Sequence, residues 1–205
     1  LLVWPSVALL LVALAYAGLG PSVFQKHDGQ LSWAARTLLA PYRLGAWWSS
    51  RWFTRGGAPS VEVAPGIWLG RAPSRTDWHS QEFGAVLDVT AEFSLGSCAR
   101  ALPHRSVPLL DLVAPSVEEL AAAVAALHEL ASHRPVLVHC ALGYSRSALA
   151  VAAWLVHHGG AATPDDAIAQ LRAARPQMVF TAAHRAVLVA YQTSLATKAV
   201  LSSGR

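Results

Sequence analysis

Residues 135–147, PVLVHCALGYSRS, constrain this chain more than any other stretch. A fully apolar strand runs into His139 and Cys140, five residues follow, and Arg146 and Ser147 open an apolar helix. A strand, a tight loop and a helix start in this order point successive backbone N–H groups inward at an anion, and the helix N-terminus adds its positive dipole end. Gly143 lets the loop turn where a side chain would obstruct.

The same positive setting stabilises a thiolate, which makes Cys140 a competent nucleophile. Arg146 presents a planar fork that binds two oxygens of a phosphate and follows their charge into the transition state. Ser147 can donate a hydroxyl hydrogen bond to the sulfur and ease its departure. A buried, inert cysteine at a strand end is the plainer alternative. A His before it, Gly three on, Arg six on and Ser seven on argue against that for Cys140. Cys98 has no such surroundings and reads as buried and inert.

Around this segment, short apolar runs alternate with helical patterns. Strands are expected over 67–69, 85–89, 105–110 and 135–139. A helix is expected over 116–132, with Ser116 and Glu119 in capping-box spacing. Another runs over 145–158 and stops at Gly159 and Gly160. A third spans 163–175, capped by Thr163 with Pro164 at its first position, and a last one covers 181–197. Strands interleaved with helices indicate an α/β domain.

The segment HCALGYSRS matches the His-Cys, five residues, Arg-Ser signature of the protein tyrosine phosphatase superfamily in its dual-specificity form, here of a membrane-anchored, bacterial type. The similarity extends over roughly residues 61 to 195 and includes VAPGIWLGRAPS, AVLDVT and DDAIAQLRAARP. The resemblance implies a central mixed sheet flanked by helices. It also implies hydrolysis of phosphate monoesters through a phosphocysteine at Cys140. Ala141, Leu142, Gly143, Tyr144, Ser145 and Arg146 would hold the phosphate, and Ser147 would assist the sulfur. Asp111, in VPLLDLVAPS, falls where the family places its general acid, and would later take a proton from the attacking water. Asp88 reads as structural, and His139 as a residue that fixes the loop through hydrogen bonds. No cofactor is implied, and the histidines show no metal-ligand spacing.

The family serves phosphotyrosine, phosphoserine and phosphothreonine, phospholipids and RNA 5′ ends, so the resemblance leaves the substrate open. A phosphorylated protein is the first expectation. A phospholipid of the phosphatidylglycerophosphate type is the alternative, because LLDLVAPSVEEL resembles the branch that acts on it. Ala141, Leu142 and Tyr144 are uncharged, which disfavours highly phosphorylated inositol lipids. A catalytically silent phosphate-binding module would usually lack the Cys, Arg or Asp, and all three are present. A rhodanese-like sulfur transferase fits the Arg-Ser ending and the upstream Asp less well.

The N-terminal part is of another kind. Hydrophobic residues make up 54% of the 205 residues and charged ones only 14%, high for a purely soluble chain. No charged residue occurs before Lys26, and residues 1–22 are expected to form a transmembrane helix. Residues 23–60 read as a basic, aromatic juxtamembrane segment, with five Lys or Arg among Trp33, Tyr42, Trp47, Trp48, Trp52 and Phe53. The first 75 residues carry seven Lys or Arg against two acids, while the remainder carries nine against ten. Basic charge next to an apolar span suits anionic lipid rather than nucleic acid. The positive-inside rule places the catalytic domain, expected over 61–198 with a tail at 199–205, on the cytoplasmic side. With only two cysteines, a reducing compartment fits. The only Met is Met178, so sequence upstream of Leu1 is expected.

Overall fold

The computed structural model describes residues 3–78 and 82–203, with side chains as far as residue 197. The first two residues of the apolar span expected over 1–22, and the last two of the tail expected over 199–205, lie outside the described residues. In chain order the elements are α1 (Val3–Leu14), β1 (Lys26–His27), β2 (Gln30–Leu31), α2 (Trp33–Leu38), α3 (Ala40–Thr54), β3 (Ser60–Ala64), β4 (Ile67–Arg71), α4 (Arg75–Trp78) and β5 (Ala85–Thr90). They continue with α5 (Ser97–Arg100), β6 (His104–Leu109), α6 (Val117–Leu130), β7 (Val136–Cys140), α7 (Arg146–His157), α8 (Pro164–Ala174) and α9 (Ala182–Ser203).

A five-stranded mixed sheet in the order β3-β4-β7-β5-β6 organises the domain. β3 and β4 form an antiparallel hairpin, and the pairs β4–β7, β7–β5 and β5–β6 are parallel. β7 is therefore central, and all five of its residues are buried, as a strand covered on both faces must be. In β5, Ala85, Leu87 and Val89 join the main core with α6 and α7. Val86 points the other way and packs with Leu95 and Ala99, against Trp78 and Leu102. Helix α7 lies inside: Arg146 to Leu155 are all buried, as its nearly continuous apolar sequence demands.

Both expected caps are present. Ser116 and Glu119 close a capping box on α6, and Thr163 and Asp166 close one on α8. The expected strands each appear within two residues of their limits. Strand β3 follows Gly56, Gly57 and Pro59 and carries too short an alternation to announce itself. The last helix runs on to Ser203, beyond the expected stop at 197.

The N-terminal segment differs in form from one continuous helix over 1–22. α1 ends at Leu14 and is followed by a π turn, Ala15–Leu19, and a 3₁₀ turn, Gly20–Phe24. Gly18 at φ 132° and Gly20 at φ 66° break the helical path, and Pro21 follows. By length and composition Val3–Phe24 is still apolar enough to cross a membrane. Ala8, Val12 and Ala15 are buried. Val12, Ala15 and Phe24 form a second small core with Leu31, Ala35, Leu39 and Ala91.

Candidate active site

Cys140 ends the central strand and Arg146 begins α7, so the intervening loop sits at the C-terminal edge of the sheet. Gly143 closes the turn at φ 76°, and its lack of a side chain is required twice over. A Cβ there would lie 2.4 Å from the Gly70 carbonyl carbon and 2.5 Å from its oxygen. On the outer side, the Ala141 carbonyl accepts from the Ala72 amide (3.3 Å) and the Tyr144 carbonyl from the Val179 amide (2.8 Å). The Arg175 guanidinium lies over the Tyr144 ring, 4.8 Å from its centroid. Leu142, Tyr144 and Ser145 are half-buried, and Ala141 is buried.

The sulfur of Cys140 faces this loop. It accepts a hydrogen bond from the Gly143 amide at 3.2 Å and another from the Ser147 hydroxyl at 3.3 Å. Two donors thus converge on one sulfur at a helix N-terminus.

Arg146 is fully buried, and its guanidinium is divided between two carboxylates. Nη1 and Nη2 donate to Glu92 Oε2 and Oε1 at 2.8 and 2.7 Å, and Nη1 also donates to the Leu109 carbonyl at 3.0 Å. Nε lies 3.2 Å from Asp111 Oδ1, an ion pair without the angle of a hydrogen bond. Glu92 thus takes the end of the fork, and the Nε–Nη2 edge is the one turned to Asp111. Burial works against the charge of Arg146, and Glu92 outweighs it and holds the guanidinium protonated. Burial would likewise raise the Glu92 carboxyl, but Arg146 holds it below the usual carboxylate range.

Glu92 escaped the sequence reading, since no periodicity or motif marks it. The loop that carries it is held by the N-terminal segment. Arg43 of α3 donates to the Glu92 carbonyl (3.0 Å), and the Gln30 amide group donates to the Leu95 carbonyl (2.8 Å). The Leu95 amide donates to the Gly29 carbonyl (2.7 Å). At the start of the loop, Lys26 Nζ, wholly buried, bonds Asp88 Oδ2 and the Thr90 carbonyl, both at 2.6 Å. Burial pushes the Asp88 carboxyl up, and the charge and hydrogen bond of Lys26 outweigh it and lower it. Tyr42 stands beside Glu92; burial and then the Glu92 charge push its hydroxyl up.

The His139 ring is more loosely held than expected: among the described residues neither ring nitrogen has a partner of normal geometry, Nδ1 is 4.0 Å from Asp88 Oδ1, and its one contact to the loop is with the Cys140 backbone. Burial lowers its basicity, so it acts as a packed, largely neutral ring. Cys98 is not buried; it is exposed on α5. On the far side of the Asp111 loop, the buried His184 of α9 accepts from the Thr181 amide (3.3 Å) and is hydrogen-bonded to the backbone of Val113.

The family model of the dual specificity phosphatase catalytic domain matches residues 67–194. The chain belongs to this family. It is a dual-specificity phosphatase-like hydrolase of the cysteine-dependent kind. A mouse putative dual specificity phosphatase, solved with zinc tungstate, is 26% identical, with a TM-score of 0.60 over 70% of this chain and 92% of that one. Human DUSP28 is 25% identical, with a TM-score of 0.58 over 68% and 96%. PTPMT1 in complex with PI(5)P, at 21% identity and a TM-score of 0.59 over 69% and 99%, shares the fold. No curated protein matches the chain. The phosphatase match begins at Ile67, so the segment that supplies Lys26 and Arg43 lies outside it.

Proposed function

We propose that this phosphatase hydrolyses phosphate monoesters through a phosphocysteine on Cys140. The observation that carries this reading is the pair of hydrogen bonds onto Sγ, from the Gly143 amide and the Ser147 hydroxyl, beside a guanidinium fixed by Glu92. The phosphate lies in the loop of residues 141–146, with two of its oxygens on the Nε–Nη2 edge of Arg146. Sγ attacks phosphorus and the bond to the leaving oxygen breaks, while the protonated carboxyl of Asp111 gives that oxygen its proton. Water then attacks the phosphocysteine and loses its proton to Asp111. The S–P bond breaks, and the Ser147 hydroxyl receives the departing thiolate. The products are an alcohol or phenol and inorganic phosphate.

Phosphorylated protein side chains are the substrate reading that the uncharged Ala141, Leu142 and Tyr144 accommodate directly. A phospholipid monoester is the second reading. It is favoured by the apolar, aromatic helices α1 and α3 that flank the site, and by an N-terminal segment suited to anchoring the domain at the cytoplasmic face of a membrane. Detergent-solubilised protein assayed with phosphotyrosine and phosphothreonine peptides and with phosphatidylglycerophosphate separates the two by kcat/KM. Tight binding of all three without turnover would replace both by a silent phosphate-binding module.

A further inference from the structure

Helix α3 lies across the catalytic edge of the sheet. Near its start, Arg43 holds the Glu92 carbonyl beyond β5. Near its end, Arg51 donates to the Ala72 carbonyl beyond β4 and pairs with Asp77 at 3.3 Å, while Arg71 donates to the Thr54 carbonyl at 3.1 Å. β4 and β5 are the two neighbours of β7, whose last residue is Cys140. The inward face of α3 is thus committed to both sides of the catalytic loop.

Among the described residues, its outward face has no protein partner of comparable extent. Leu44, Trp48 and Phe53 are each about two-thirds exposed, and Trp47 and Trp52 about half. Trp48 and Trp52 stack at 6.1 Å, and the Arg55 guanidinium sits 3.6 Å above the Trp52 ring. Leu44 and Trp47 share a shallow depression with Phe93, the neighbour of Glu92, so the apolar face reaches the catalytic edge. α1 packs against α3 and adds exposed Val3, Val7, Leu10 and Leu14.

We infer that this face docks on an anionic lipid bilayer and holds the catalytic loop at the headgroup layer. Charge selects the occupant. Residues 29–61 contain four arginines and no Asp or Glu. Arg43 and Arg51 are used inside the fold, while Arg36 and Arg55 stay exposed, Arg55 over the Trp52 indole, where lipid phosphates would meet them. The face also adjoins a segment apolar enough for hydrocarbon. Exposed indoles next to guanidinium groups suit the interfacial zone, where one side of the ring is apolar and the other wet.

The inference rests on the phosphatase reading only for what is presented to the lipid, so its test does not depend on turnover. A nitroxide is attached to Trp48→Cys, and separately to Arg172→Cys on α8, in the full chain carrying Cys98→Ser and Cys140→Ser. Both are reconstituted with phosphatidylcholine vesicles, with and without phosphatidylglycerol. With phosphatidylglycerol, collisions of the label at 48 with an aqueous nickel chelate should fall about tenfold relative to the label at 172, while collisions with oxygen rise. An aqueous label at 48 on membrane-attached protein, equal shielding without phosphatidylglycerol, or failure of the chain to attach would overturn it. Assay of the unlabelled protein with a soluble aryl phosphate reports on the catalytic reading separately.

Discussion

Arg146 gives the end of its guanidinium to Glu92, which leaves the Nε–Nη2 edge for the phosphate in the proposed mechanism. Removing that partner leaves a buried charge without compensation. Glu92→Ala should cost roughly 3–5 kcal/mol in urea unfolding. The Glu92 and Asp88 carboxyls both titrate below their ordinary range in the folded state. The stability they contribute is therefore present above about pH 4–5 and is lost as pH falls through their folded values. A pH series of unfolding midpoints should show Glu92→Gln losing less than the parent on acidification. Asp111→Asn should lower kcat by about 10²–10⁴-fold with little change in KM, read in steady-state assays with an aryl phosphate whose leaving group needs the proton. The roles proposed for Cys140, Arg146, Ser147 and Asp111 could be framed from the sequence because the Cys, the Arg and the Ser share one short segment, and the Asp follows a strand at a family position. Glu92 was not, because its role arises only when the β5 and β7 ends lie side by side.

At the scale of elements, the segment 88–95, the end of β5 and the loop after it, is where two parts of the chain meet. Lys26 and Asp88 are both buried and paired, so Lys26→Met should destabilise by roughly 3–5 kcal/mol, while Lys26→Met with Asp88→Asn should recover most of it in a double-mutant cycle. Gly143→Ala should abolish activity, because the new Cβ would overlap the Gly70 peptide and φ 76° is strained for alanine. α6 and α8 could be read in advance, since their capping boxes are local side-chain chemistry. α3 could not. Its indoles and arginines have the composition of an interfacial segment, and only the tertiary structure reveals that Arg43 and Arg51 turn inward to clasp the strands beside Cys140.

For the whole molecule, the phosphatase fold and the N-terminal segment are one packed body. The buried cluster of Val12, Ala15, Phe24, Leu31, Ala35 and Leu39 closes on Ala91, next to Glu92. A chain shortened to begin at residue 56 loses Lys26, Arg43 and Arg51 together, and should show both a lower Tm and a lower kcat/KM on soluble aryl phosphate. The α/β class and the mixed sheet were visible in the alternation of strands and helices and in the family signature; the path of the first 55 residues was not, because apolar composition alone does not distinguish a surface that meets lipid from one that meets protein. The most direct test of the account is acid quenching of a single turnover with an aryl phosphate, followed by mass analysis of the peptide that contains Cys140. One phosphoryl group on Cys140, enriched in Ser147→Ala and absent in Cys140→Ser, is the predicted result. Undiminished turnover in the Cys140→Ser protein, with no phosphoryl group on that peptide in the parent, would contradict it.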